Sequence, residues 1–96
     1  MTTREQILSQ LALAKPTLLI QYPISRMAIF GSVSRGDDSV DSDVDILVEF
    51  TQPAGMQFIH LAFDLEKILQ KKVDLVSKNG IKKAYFAEIE PDLIYV

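Results

Sequence analysis

Cysteine is absent from the 96 residues, which excludes a disulfide framework and a thiolate zinc site and fits a reducing compartment. Also missing is any apolar run approaching the roughly 18–20 residues of a membrane span. Met1 to Gln10 is polar and of mixed charge, with nothing like the apolar core of a signal peptide. A soluble, cytoplasmic protein without a membrane partner is therefore expected. Positive charge is lacking over one long stretch. Between Gly36 and Glu66 there is no Lys or Arg, yet Asp37, Asp38, Asp41, Asp43, Asp45, Glu49, Asp64 and Glu66 all fall there. The other acids share the rest of the chain with every basic residue, so the net charge of −3 conceals an acidic middle and a basic remainder. Crowding acids into Asp37–Glu49 is unfavourable unless solvent or a cation neutralises them. Lys67, Lys71, Lys72, Lys78, Lys82 and Lys83 read more simply as solvated surface than as a nucleic-acid face, so direct nucleic-acid binding is not expected.

What is present is apolar material for a core, 48% of the residues, which argues against disorder. Thr2 or Thr3 can cap a helix carrying Ile7, Leu8, Leu11 and Leu13, and Pro16 suits the first turn of a second short helix that Pro23 ends. Arg26–Phe30 reads as a buried strand stopped by Gly31, and Val44–Phe50 as a second strand before a turn at Thr51–Gly55. Phe58, Leu61, Ala62, Leu65, Ile68 and Leu69 recur at three- and four-residue steps, the clearest amphipathic helix in the chain. Val73–Val76 follows as a third strand closed by Asn79-Gly80, then a helix over Ile81–Glu88 and a terminal strand over Leu93–Val96. The expected order is α, α, β, β, α, β, α, β. With no repeat or linker, residues 1–96 are expected to form a single domain of α/β (α+β) type.

The chemistry concentrates in Gly31-Ser32-Val33-Ser34-Arg35-Gly36 and in Asp41-Ser42-Asp43-Val44-Asp45. Alternate residues of a strand share a face, so Asp43 and Asp45 project together with Cα atoms about 6–7 Å apart, within reach of one cation. Val44, Ile46 and Val48 then point into the core. Asp74 is a lone acid within an apolar strand, where burial is costly unless it is paired or metal-bound, and it joins the same site if the third strand lies beside the second. Three such oxygen donors suit Mg²⁺ or Mn²⁺. Upstream, Gly31 permits close backbone approach, Ser32 can hold phosphate oxygens if it begins a helical turn, and Arg35 offers bidentate phosphate contact. Together these groups are arranged for metal-assisted phosphoryl chemistry.

Gly31-Ser32 followed by Asp43-x-Asp45 and a later strand-borne Asp74 resembles the signature of the DNA polymerase β-type nucleotidyltransferase superfamily. The short chain, Arg35-Gly36 and Ser42 are similar to its minimal nucleotidyltransferase (MNT) branch, and the resemblance covers nearly the whole sequence. It implies a mixed β-sheet of about four strands flanked by helices. It also implies two Mg²⁺ ions held by Asp43 and Asp45, Gly31 and Ser32 at the triphosphate, and Asp74 as a third carboxylate helping to activate the attacking hydroxyl. Simpler readings of the same residues exist. A calcium loop from Asp41 would need Gly where Ile46 stands and Glu where Gln52 stands. Arg35-Gly36-Asp37 is a chance triplet, the acids could be a solvated loop, and His60 suits a surface or a satisfied core position. Tyr22, Tyr85 and Tyr95 read as core and rim.

Two functions follow as expectations. In one, a nucleoside monophosphate, AMP from an ATP donor, passes to an acceptor hydroxyl and pyrophosphate leaves. No acceptor-binding domain is evident, so the acceptor is expected on a partner. The MNT resemblance implies a HEPN-domain ribonuclease toxin, neutralised by adenylation of a tyrosine. In the other, the chain masks a toxin sterically and its site is vestigial. Modification of an antibiotic or other small alcohol is a weaker third reading. A small chain is also expected to cover apolar surface in a homodimer or hetero-oligomer.

Overall fold

The computed structural model describes residues 2–96, so Met1, the first residue of the polar Met1–Gln10 stretch read above, lies outside the described residues. A capping box starts the first helix, α1 (Thr3–Gln21): the Thr2 hydroxyl accepts from the Glu5 backbone N–H, and the Glu5 carboxylate accepts from the Thr2 backbone N–H. One helix stands where two short ones were expected, with Pro16 inside it. An interior proline costs about 3 kcal/mol, since it removes a backbone donor and crowds the preceding turn. Leu11 and Leu18, two turns apart on either side of Pro16, are both buried. Each such burial contributes about 1.5–3 kcal/mol, enough to hold the helix through the proline. Leu13, read above as part of the buried stripe, is instead 82% exposed, because it faces away from Ile7, Leu11 and Leu18.

Beyond α1 come β1 (Ile24–Phe30), the one-turn helix α2 (Gly31–Arg35), β2 (Val44–Phe50), α3 (Gln57–Leu69) and β3 (Val73–Ser77). A 3-10 turn at Lys78–Gly80, α4 (Lys83–Ile89), another 3-10 turn at Glu90–Asp92 and β4 (Ile94–Tyr95) complete the chain. The observed alternation of helix and strand therefore replaces the paired opening helices and strands of the expected order. β1 begins two residues earlier than the Arg26 start read from sequence, with a bulge between Ile24 and Arg26 where it pairs with β2. α4 begins later than Ile81 because the 3-10 turn occupies Lys78–Gly80.

The four strands form one mixed sheet in the order β3-β2-β1-β4, antiparallel at β1–β2 and β1–β4 and parallel at β2–β3. Its two faces are unequal. On one, Val44, Ile46, Val48, Met27, Ile29 and Val73 pack with Ile7, Leu11 and Leu18 of α1 and Leu61, Leu65 and Leu69 of α3. On the other, a smaller cluster joins Phe30 and Leu47 to Ile89 of α4, with Val76 and Phe86 at its edge. Alternation along β2 and β3 places Asp45 and Asp74 on this second face, beside the part that α4 covers. No helix among the described residues is long and apolar enough to cross a membrane.

Candidate active site

The parallel pairing of β2 and β3 sets Asp45 directly beside Asp74, as Val44 pairs with Val73 and Ile46 with Leu75. Two hydrogen bonds fix that alignment at the strand entrances. The Val44 N–H donates to the Lys72 carbonyl at 2.9 Å, and the Val73 N–H donates to Glu66 Oε2 at 3.0 Å. α3 thus ends by holding the start of β3. Asp43 lies one residue before β2 and is exposed. Asp74 is exposed as well, which corrects the burial argument made from its sequence. β3 is an edge strand, and sequence alone does not say which strand lies at an edge.

Asp45 is half-buried, and its carboxyl is pushed up to about 6, first by burial and then by the negative charges of Asp74 and Asp43. A hydrogen bond with Asp74 raises it further, and Arg35 opposes the rise. Among the described residues no group of three acidic or imidazole side chains is gathered as around a bound ion. The donor chemistry nevertheless fits a hard divalent cation. Asp45 and Asp74 are held side by side by the register, Asp43 is near enough to be felt, and their mutual repulsion is what a cation relieves.

Gly31 shows how tightly this end of the sheet is built. It opens α2 with φ of 75°, a left-handed conformation that side-chain-bearing residues rarely adopt. A Cβ placed there would lie 2.1 Å from Asp45 Oδ2. The missing side chain is therefore the space the Asp45 carboxylate occupies, a reason for glycine additional to close approach by a ligand. Ser32 is the second residue of that turn, which Gly31 begins. α2 is tied down behind it: Val33 and Ser34 are buried, the Ser34 hydroxyl donates to the Asp92 carbonyl, and Arg4 Nη1 donates to the Ser34 carbonyl at 3.0 Å.

Arg35, read from sequence as a phosphate contact, is exposed and engaged elsewhere. Its Nη1 lies 2.9 Å from Asp92 Oδ2 and its Nε 3.1 Å from Asp37 Oδ2, so it clips α2 to the turn preceding β4. Ser42 closes a turn in the acidic loop, its hydroxyl accepting from the Ser39 N–H at 2.8 Å. Sequence reasoning missed Asp92, Ser34 and Arg4 as supports of α2. No local signal marks them, since Asp92 and Arg35 lie 57 residues apart. It also left Tyr85 as rim. Burial raises the Tyr85 phenol, and the charges of Asp74 and then Asp45 raise it further, which places that phenol at the carboxylate end of the sheet. His60 is exposed on α3. Tyr22 is buried and donates to Asp64 away from the acids, and Tyr95 lies under the Arg26 guanidinium.

A glycine-led turn after a strand, facing paired strand carboxylates, is the framework of a nucleotidyl-transferring domain, and comparison with known proteins agrees. The nucleotidyltransferase domain profile matches residues 13–94. A candidate protein adenylyltransferase of Methanocaldococcus jannaschii is 41% identical, the match spanning 100% of both chains. The protein adenylyltransferase MntA of Thermococcus cleftensis is 38% identical over 100% of this chain and 98% of its own. Among solved structures, a candidate minimal nucleotidyltransferase superposes with a TM-score of 0.74 at 28% identity, covering 98% of this chain and 95% of its own. A chain from the complex of a tri-AMPylated Shewanella oneidensis HEPN toxin with its MNT antitoxin has the same fold, with a TM-score of 0.61 at 20% identity over 97% of this chain and 67% of its own. The chain belongs to the nucleotidyltransferase domain family, and within it to the minimal nucleotidyltransferases. It is an enzyme of the protein adenylyltransferase kind.

Proposed function

We propose that residues 1–96 form one nucleotidyltransferase domain that moves AMP from ATP to a tyrosine hydroxyl of a partner HEPN toxin in the cytoplasm and so acts as its antitoxin. The observation that carries this reading is the side-by-side placement of Asp45 and Asp74, with Asp43 two residues before Asp45 and the Asp45 carboxylate seated against Gly31. Asp43, Asp45 and Asp74 are the residues that would hold Mg²⁺. When bound, Mg²⁺ supplies Lewis acidity and neutralises charge on the phosphates. Gly31 and Ser32 receive the triphosphate at the start of α2. The Asp74 carboxylate, exposed to an incoming acceptor, takes the proton of the tyrosine hydroxyl as its oxygen bonds to the α-phosphorus and the bond to pyrophosphate breaks. Arg35, already paired with two acids, steadies α2 and reaches phosphate only by exchanging a partner. The acceptor comes from outside, and the related toxin complex supports a HEPN protein in that role.

The test is to incubate the purified chain with Mg²⁺, ATP and a HEPN toxin and to follow adenylate on toxin tyrosines by mass spectrometry. Asp74→Asn should slow transfer about 10²–10⁴-fold, the usual worth of general-base help, while Asp43 and Asp45 suffice to keep Mg²⁺–ATP nearly as well bound and complex formation persists. Full silencing of the toxin by this variant, with no adenylate attached, would establish masking as the mechanism instead.

A further inference from the structure

α4 brings to the carboxylate end of the sheet an aromatic ring that the transfer chemistry does not use. Phe86 and Ile89 seat the helix against Phe30, Leu47 and Val76, on the face that carries Asp45 and Asp74. Tyr85 lies one turn before Ile89, so the two project from the same side of α4. Its phenol senses Asp74 and Asp45, yet the residue is 37% exposed, leaving much of the ring uncovered at the rim. Lys82 and Lys83 at the same end of the helix are exposed and enter none of the ion pairs among the described residues.

The other rings are committed or distant. Phe30 is buried, Phe50 and Phe58 pack edge to face against each other, and the Lys78 ammonium sits over Phe86. Tyr22 is buried on its bond to Asp64, and Tyr95, one face under Arg26, lies on β4 at the sheet edge opposite Asp74. Phe63 is exposed on α3, which packs on the opposite face of the sheet.

A nucleotide whose phosphates lie at α2 and the carboxylates must place its sugar next to them and its base one ribose further on. We propose that the Tyr85 ring is the wall against which the base of the donor nucleotide stacks, so that α4 supplies the nucleoside subsite of this domain. The inference rests on the transferase reading above. A ring that stacks by its flat face binds any base and discriminates little among them.

Calorimetry with Mg²⁺–ATP and with Mg²⁺–triphosphate, which lacks sugar and base, tests it. Tyr85→Leu should weaken ATP roughly 5- to 150-fold, the range of one aromatic stack, and leave inorganic triphosphate unchanged. Tyr85→Phe keeps the ring and should hold ATP within about twofold of the unsubstituted chain. Equal loss of ATP and triphosphate in Tyr85→Leu would point to damage at the phosphate end and overturn the stacking role. So would unchanged ATP affinity, or mass spectrometry showing adenylate on Tyr85 itself, which would make the ring an acceptor. If the unsubstituted chain bound triphosphate but not ATP, the stacking inference alone would fall. If it bound neither, the transferase reading would fall with it.

Discussion

Asp45 sits half-buried among like charges, and its cost to the fold is measurable. A carboxyl whose pKa is about 6 in the folded chain and ordinary in the unfolded one binds more protons when folded. Its contribution to stability is therefore fully present below about pH 4 and is lost as pH rises through about 6. Without divalent cations, denaturant midpoints should fall across that window in the unsubstituted chain and fall less in Asp45→Asn. At neutral pH Asp45→Asn should be the more stable by about 1–2 kcal/mol, the shift being discounted for solvent screening. Identical midpoints in the two proteins at pH 7 would contradict a repulsive carboxylate pair. Gly31 is the matching steric residue. Gly31→Ala meets both a left-handed backbone and Asp45, whereas Gly55→Ala, at φ of 56°, meets nothing within 4 Å. Gly55→Ala should cost about 1 kcal/mol and spare transfer; Gly31→Ala should cost about 2–3 kcal/mol and abolish it. Thermal unfolding and a transfer assay on both variants separate the two effects.

Among the elements, α1 carries a defect that function does not require. Pro16 is exposed and lies on α1, which packs on the sheet face opposite Asp45 and Asp74. Pro16→Ala restores a helical donor, and urea unfolding should show a gain of about 1–3 kcal/mol with the transfer rate unaltered. An unchanged midpoint would mean that the helix is already strained or frayed at that turn. α2 is the opposite case, a five-residue helix too short to persist alone. It is held by Val33 in the core, the Ser34 hydroxyl on the Asp92 carbonyl, Arg4 on the Ser34 carbonyl and Arg35 on the Asp92 carboxylate. Every one of those anchors reaches outside the segment.

Across the molecule, legibility followed the range of the interaction. The strand that carries Asp45 was readable because a two-residue period and a strand-rich context act locally, and its Val44, Ile46 and Val48 face emerged as read, while Asp43 lies one residue before it. The α3 stripe was readable for the same reason. Asp74 was found by pattern, although the expected cause, burial, gave way to an edge position set by strand order. The continuity of α1 through Pro16 was hidden because packing of distant leucines overruled a local rule. The pairing of Arg35 with Asp92 was hidden because Asp92 belongs to the last turn of the chain. The side-by-side placement of Asp45 and Asp74 carries one more consequence. Val73 and Leu75 face the main core while Asp74 faces the site, so a one-residue slip of β3 would push a carboxylate in among leucines and turn Val73 outward. A residue inserted between Lys71 and Lys72 should therefore yield an unfolded chain, detectable by circular dichroism, and a folded but inactive product would contradict this. The hydrophobic packing thus inspects the register that sets Asp45 beside Asp74: a copy assembled out of step is betrayed by its own instability.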